Sequence, residues 1–331
     1  MLITKIYKPS EFNEAAKELR LGELVAFPTE TVYGLGADAT NEQAVKRVYL
    51  AKGRPSDNPL IVTVSSLEMV KRFVPSLSKE VEKIIEKFWP GSLTIVLKIK
   101  DGSLSKTVTG GLKTAAFRMP KNETTLNLIT ALGNPIVGPS ANSSGKPSPT
   151  TAQHVYHDLE GRIAGILDDG PTDVGVESTI IDMSTEIPTI LRPGAVTAEE
   201  IEKVIGKEVY SDKHKVKENE IPKAPGMKYK HYAPSAQVLI VNKDNWNSAL
   251  QWANENKNQV GILADDEVLS KALENKTYSL GENVESAAKN LFAGLRYFDD
   301  DNQIKYILAE AFPEEGVGLA YMNRLKKSAG N

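Results

Sequence analysis

The side chains able to do chemistry sit in short polar runs that follow apolar ones. Pro28-Thr29-Glu30-Thr31-Val32-Tyr33-Gly34-Leu35-Gly36 comes directly after the apolar stretch LVAF at 24–27. Hydroxyls just past a buried strand lie where open α/β sheets bind ligands, at strand carboxyl ends. Gly34, Gly36 and Ala39 also spell G-x-G-x-x-A, but six residues separate the first glycine from the strand. A dinucleotide fingerprint needs its glycines in the first turn, so that reading is weak. Lys52-Gly53-Arg54-Pro55-Ser56-Asp57-Asn58-Pro59 follows a helical pattern. Cations there complement a helix dipole; alternatively, glycine and two prolines fix a rigid turn in which Lys52, Arg54 and Asn58 point one way and hold phosphates. Arg118 stands inside the apolar strand pattern TAAFRM. It must face water, pair with an acid, or grip a ligand carboxylate or phosphate with its fork.

Gly138-Pro139-Ser140-Ala141-Asn142-Ser143-Ser144-Gly145-Lys146-Pro147-Ser148 is a hydroxyl- and amide-rich loop between a strand and a helix. Six residues separate its glycines and Pro147 follows the lysine. A Walker site needs four residues and a Ser or Thr, so it is excluded, while nucleotide binding through hydroxyls and backbone N–H groups stays open. Glu177-Ser178-Thr179 enters a strand and Arg192 leaves the next. No serine lies in G-x-S-x-G and no Ser/His/Asp order is readable, which leaves hydrolase chemistry unsupported. The chain has no cysteine, which removes disulfides, thiolate metal sites and cysteine nucleophiles. His154 and His157 are three apart on a predicted helix with no third ligand near them, so no protein metal site is expected.

Elements that could position these groups alternate along the first two hundred residues. Strands are expected at 3–7, 24–27, 60–64, 93–99, 114–119 and 135–138, with three more in IAGIL, STIIDM and TILR. Helices are expected from a Ser10 cap to Gly22, from Asn41 to Lys52, after Ser78, over 125–132, over 151–159 and after the Thr197/Glu200 capping box. Residues 208–234 show neither period and end in PKAPGMKYKHYAP; a run this long is a linker or functional. From 235 the alternation resumes: strands at 237–241, 259–263 and 303–308, and helices between the first two strands, at 266–274, at 284–299 and near 318–327. That pattern predicts a small parallel α/β sheet.

The 331 residues carry 40 Lys+Arg against 43 Asp+Glu, a formal net charge of −3. No block of the chain has the basic excess of a nucleic-acid footprint, and 235–331 is acidic, with 10 against 14. The amino terminus lacks a signal pattern, and no apolar run approaches the ~20 residues of a membrane span. The expectation is a soluble, cytoplasmic protein.

Taken in order, PTETVYGLG, KGRPSDNPL, WPGSLT, AFRMP, GPSAN, GVESTI and LRPGAV resemble the YrdC-like threonylcarbamoyl-AMP synthase family over about residues 5–207. APGMKYKHYAP and the α/β tail resemble its longer, two-domain members. The resemblance implies a large twisted open-sheet domain with a central cavity (1–207), a linker or lid over the active site (208–234) and a smaller Rossmann-like parallel α/β domain (235–331). It implies a nucleotidyltransferase that joins L-threonine, bicarbonate and ATP, giving L-threonylcarbamoyladenylate and pyrophosphate. Partner proteins would place the threonylcarbamoyl group on the tRNA adenosine next to the anticodon. Carried over by motif, threonine falls to Thr31, Thr63, Arg118, Gly138 and Ser178. ATP falls to Lys52, Arg54, Asn58, Thr114, Ser140, Asn142, Ser148, Arg192 and Tyr229, with Lys52 and Arg54 acting catalytically on the phosphates. Mg²⁺ would come with ATP, without an organic prosthetic group, and the chain would be a monomer. Rival readings are a carbamoyltransferase like the hydrogenase-maturation proteins, which carry additional acylphosphatase-like and zinc-binding segments, and a non-catalytic RNA-binding module.

Overall fold

A computed structural model describes residues 2–56, 58–211, 222–223, 232–272 and 274–330. The described residues divide into two compact units: those of Met1–Ser144, Pro149–Thr172 and Glu177–Tyr229, and those of Gly145–Ser148, Asp173–Val176 and Lys230–Asn331. The second unit thus takes in two short loops from earlier in the chain. Most of 208–234, Tyr229 included, lies outside the described residues.

The first unit runs β1 (Lys5–Tyr7), α1 (Phe12–Arg20), β2 (Val25–Phe27), β3 (Gly34–Asp38), α2 (Glu42–Lys52), β4 (Ile61–Thr63), α3 (Leu67–Lys71), α4 (Lys79–Phe88), β5 (Leu93–Lys98) and α5 (Lys106–Thr109). It continues through β6 (Thr114–Arg118), α6 (Glu123–Leu132), β7 (Ile136–Val137), α7 (Ala152–Leu159), β8 (Gly165–Leu167), β9 (Thr179–Asp182), β10 (Thr189–Arg192), α8 (Ala198–Ile205) and β11 (Tyr210–Ser211). Eleven strands form one mixed sheet, ordered β1-β8-β2-β3-β7-β4-β6-β5-β9-β10-β11. Its interior strands read as unbroken apolar runs, as expected when both faces are covered. The helices bury one face each: Val81, Ile84 and Ile85 of α4 join the same core as Val62, Ile95 and Phe117 from the sheet.

Caps fall where the sequence places them for several helices. The side chains of Asn41, Ser78 and Thr197 accept backbone N–H groups at the starts of α2, α4 and α8. At the amino terminus the outcome differs. Ser10 is no cap: Pro9–Glu11 forms a 3-10 turn, and the Glu11 carboxylate accepts the Lys8 N–H at 2.7 Å. Proline pre-sets the φ of that turn, so the α-helix begins only at Phe12. The glycines that close the polar run after β2 lie in a strand of their own. Gly34–Asp38 is a strand, paired antiparallel with β2 through Val25↔Gly36 and Phe27↔Gly34. Its glycines are packing glycines: a Cβ on Gly34 would meet the Phe27 ring at 2.4 Å, and one on Gly36 the Val25 carbonyl at 2.8 Å.

The second unit holds β12 (Gln237–Val241), α9 (Trp246–Glu255), β13 (Val260–Ala264), α10 (Asp266–Leu269), β14 (Lys276–Ser279), α11 (Val284–Asp299), β15 (Tyr306–Glu310) and α12 (Val317–Ser328). Its four strands are all parallel in the order β12-β15-β13-β14. The helix expected over 266–274 ends at Leu269, and Lys276–Ser279 is a strand pairing with β13. That strand lies beyond the expected helix, and pairing with a fully buried neighbour, rather than any local pattern, makes it one. The last strand starts at Tyr306 rather than 303, because a turn closes first, with the Ile304 N–H on the Asp301 carbonyl. Among the described residues no helix is long and apolar enough to cross a membrane.

Candidate active site

The loop after β2 is shaped by Thr29, whose hydroxyl receives the N–H groups of Thr31 and Val32 at 3.1 and 3.2 Å. This side-chain turn holds Glu30 and Thr31 inside, 7% and 0% exposed. Arg118, the last residue of β6 and 7% exposed, reaches them. Its Nη1 donates to Thr31 Oγ1 at 2.8 Å and its Nε to the Gly91 carbonyl at 3.2 Å. Its Nη2 lies 2.8 Å from Glu30 Oε1, an ion pair whose alignment makes no hydrogen bond. Glu30 further accepts the Ser92 hydroxyl at 3.0 Å and the Lys121 N–H at 3.1 Å. Of the three fates open to an arginine in an apolar strand, pairing with an acid is realised, yet Nη2 keeps donor capacity.

Register supplies the neighbours. Thr63 ends β4 directly opposite Arg118, and Ile136 of β7 stands opposite Thr63 on its other side. Gly138 follows immediately, its N–H on the Ile61 carbonyl at 2.8 Å. A Cβ there would meet Thr63 Oγ1 at 2.6 Å and the Phe27 ring at 2.9 Å. We expect Gly138→Ala to cost about 1–3 kcal/mol through this overpacking, and thermal unfolding beside the wild type measures it. Ser178, 1% exposed, shares a 2.8 Å hydroxyl contact with Thr94 and accepts Arg192 Nη2 at 3.2 Å, while Arg192 Nε donates to the Ser178 carbonyl at 3.1 Å. Thr31, Thr63, Arg118 and Gly138 thus form one cluster. Ser178 and Arg192 form a second, joined to it by Ser92, whose carbonyl accepts the Thr179 N–H at 3.0 Å.

The strand-to-helix loop forms a third wall. Gly34 bridges to Ser140, and the Ala141 N–H meets the Tyr33 carbonyl at 2.8 Å. Lys52, 4% exposed, turns inward from the end of α2. Its ammonium contacts the Ser140 carbonyl, the Asn142 carbonyl at 2.7 Å and Asn142 Oδ1 at 3.4 Å. The helix is closed instead by Gly53 in the left-handed region, φ 62°, so Lys52 is not the surface cation that completes a dipole. Asn58 is fully buried, and neither its side-chain oxygen nor its nitrogen has a hydrogen-bond partner among the described residues. A buried amide in that condition calls for a ligand or water.

Other expected residues lie apart. Arg54 lines a cavity of about 780 Å³ with Lys46, Tyr49 and Lys106, between α2 and α5. Thr114 starts β6, four residues from Arg118, hence roughly 13 Å along the strand. Ser148 is fully buried within the second unit, next to Pro147, whose carbonyl takes Arg296 Nε and Nη2 at 3.1 and 2.6 Å. Tyr229 lies outside the described residues. Sequence reasoning missed Glu30, Ser92 and Thr94. Glu30 had a signal: a carboxylate between two threonines in the densest polar loop is the acid a buried arginine needs.

Fold and cluster together define an α/β protein with a broad open mixed sheet and a buried, hydroxyl-lined arginine beside strand carboxyl ends. The Sua5/YciO/YrdC family model, described as "Telomere recombination", matches residues 17–194. A second, described as "Threonylcarbamoyl-AMP synthase, C-terminal domain", matches 196–330. The chain is 48% identical over 321 residues (96% of this chain, 92% of the other) to the threonylcarbamoyl-AMP synthase of Bacillus subtilis. It is 46% identical over 322 residues (96% and 93%) to that of Pyrococcus abyssi. The crystal structure of P. abyssi Sua5 complexed with L-threonine superposes with a TM-score of 0.91 at 43% identity, covering 99% of this chain and 98% of that one. This chain belongs to the Sua5/YciO/YrdC family in its long, two-domain form.

Proposed function

We propose that this protein is a threonylcarbamoyl-AMP synthase, a nucleotidyltransferase that condenses L-threonine, bicarbonate and ATP to L-threonylcarbamoyladenylate and pyrophosphate. Support comes from the relatives that carry that name and from the relative solved with L-threonine. The observation that carries it is Arg118, buried and braced by Thr31, Glu30 and the Gly91 carbonyl with donor capacity left on Nη2. A guanidinium held so rigidly takes a carboxylate at little further entropic cost. In this reading the Thr31 and Ser178 hydroxyls would meet the amine or hydroxyl of threonine, and Thr63 and Gly138 would wall it in.

In the reaction we propose, the neutral threonine amine adds to carbon dioxide derived from bicarbonate, giving a carbamate. A carbamate oxygen attacks the α-phosphorus of ATP, and pyrophosphate leaves with the electron pair of the broken P–O bond. Lys52 and Arg192 neutralise phosphate charge, with Ser140, Asn142 and Asn58 contributing polar contacts. Arg54, Thr114, Ser148 and Tyr229 retain their ATP roles on the resemblance alone. Positioning and electrostatics carry such a transfer without a protein nucleophile. Among the described residues no three His, Cys, Asp or Glu side chains are placed to hold a metal ion. Mg²⁺ would arrive on ATP, mostly ligated by phosphate oxygens and water, where it would offset phosphate charge. The product would feed threonylcarbamoylation of the tRNA adenosine next to the anticodon by partner proteins in the cytoplasm.

The test supplies ATP, Mg²⁺, threonine and bicarbonate to the purified protein. Pyrophosphate should form only with all four, alongside a threonylcarbamoyl adenylate detectable by mass. Pyrophosphate release indifferent to threonine would overturn the assignment.

A further inference from the structure

The parallel sheet of the second unit has a cavity of its own. About 840 Å³ in volume, it is lined by Lys243, Asp244, Trp246, Asp265, Glu310 and Phe312, among others. These residues lie at or just past the carboxyl ends of β12, β13 and β15, the edge at which open parallel sheets take ligands. The volume falls within the range of small-molecule pockets, about 300–1,000 Å³.

Its chemistry is not that of a nucleotide site. The turn after β12 reads Asn242-Lys243-Asp244-Asn245 and forms a 3-10 helix without glycine. No glycine-rich loop presents N–H groups to phosphate there. The charge has the wrong sign too. Lys271 is paired with Glu267 at 3.1 Å, which leaves Asp244, Asp265 and Glu310 against Lys243 on the lining. Glu310 is 6% exposed, and its Oε2 accepts the Asp265 N–H at 2.7 Å. Burial, helped by the charges of Asp265 and Glu267, pushes its carboxyl above the usual range, against the pull of the Asp265 N–H and of Lys243. A buried carboxylate in that setting gains most from a cation that enters.

A second observation concerns a donor. Trp246 lines the same cavity, is 5% exposed, and its indole N–H has no hydrogen-bond partner among the described residues. A buried indole N–H ordinarily finds an acceptor, and leaving it unmade costs about 1–3 kcal/mol. The described residues hold no cluster fit for a metal ion, which directs the reading to an organic cation.

We infer that this cavity binds a small organic ammonium compound bearing a hydrogen-bond acceptor, the chemistry of an amino acid or its amide. The ammonium meets Glu310, with the charges of Asp265 and Asp244 on the same lining; the acceptor takes the Trp246 N–H, with Lys243 beside it for a carboxylate. The rings of Trp246 and Phe312 cover the apolar body and attract the cation. The site lies wholly in the second unit and is independent of the reaction proposed for the first.

Calorimetric titration of the full-length protein with L-lysine, L-arginine and glycinamide tests it, with cadaverine as the amine that lacks an acceptor. At least one of the first three should bind, more tightly than cadaverine. Glu310→Gln and Asp244→Asn should each weaken that binding about tenfold, the loss of one charge-assisted contact. Asp244 is exposed, so its variant keeps the test alive if the Glu310 change disturbs folding. Trp246→Phe should lower affinity for the acceptor-bearing ligands severalfold and leave cadaverine unchanged. Threonine-dependent pyrophosphate release should be unaltered in all three variants. The inference fails if no amine binds at millimolar concentration, if both carboxylate variants bind as the wild type does, or if inorganic phosphate binds this cavity in preference to the amines.

Discussion

Arg118→Ala should raise the threonine concentration for half-maximal pyrophosphate release by about 10²–10³-fold while changing the ATP requirement less than threefold. Removing one partner of a buried, hydrogen-bonded charge pair costs roughly 2–5 kcal/mol, and 1.4 kcal/mol is tenfold in affinity. A second effect comes with it. In the absence of ligand the guanidinium neutralises Glu30, 7% exposed, across 2.8 Å. Alanine strands that carboxylate, at a cost of about 3–5 kcal/mol, which for a domain of this size lowers the unfolding midpoint by roughly 10 °C. The two effects separate in a double variant. Adding Glu30→Gln to Arg118→Ala removes the stranded charge, so much of the lost stability returns while threonine affinity stays low. Steady-state kinetics with threonine and ATP varied in turn, together with thermal unfolding, read both. Equal rises in the two substrate requirements would undo the carboxylate role.

The same pair shows how much of this protein is legible in its sequence. The apolar run TAAFRM defines a strand, and an arginine at its end announces a buried charge. Which acid answers it depends on where β6 lies in the finished sheet, with three strands between it and β2, and that neighbourhood is nonlocal. Thr63 opposite Arg118 is likewise a consequence of register. The capping residues Asn41, Ser78 and Thr197 were readable because a cap is a local contest for N–H groups. The part played by the glycines of Gly34-Leu35-Gly36 was not legible, for the opposite reason. Their role is to admit the Phe27 ring and the Val25 carbonyl of the paired strand, which no window of sequence contains. In the second unit, β14 lies past the helix expected over 266–274, in a stretch with no expected element; its half-buried positions carry no alternation, and pairing with β13 makes it a strand.

Lys52 carries the other large effect. As a surface cation at a helix end it would contribute about 0.3–1 kcal/mol and little else. The structure places it differently: 4% exposed, with its ammonium on the carbonyls of Ser140 and Asn142. Carbonyl oxygens are neutral partners, and a phosphate brought beside this ammonium in a region of low dielectric would be felt strongly. We expect Lys52→Met, which keeps length and apolar volume, to lower kcat/KM for ATP by about 10²–10³-fold, the scale on which removal of one electrostatic stabiliser is felt. A purely structural pin would behave otherwise. Losing it would leave two buried carbonyls unmet, at about 1–3 kcal/mol, and would loosen the loop from Gly138 to Ser144, whose first residue is also one of those proposed to hold threonine. Threonine binding measured without ATP decides between them. If the ammonium acts on phosphate, the variant binds threonine within about threefold of the wild type while ATP affinity collapses. If threonine and ATP weaken together and the unfolding midpoint falls, Lys52 is a brace for the loop and the phosphate role passes to Arg192.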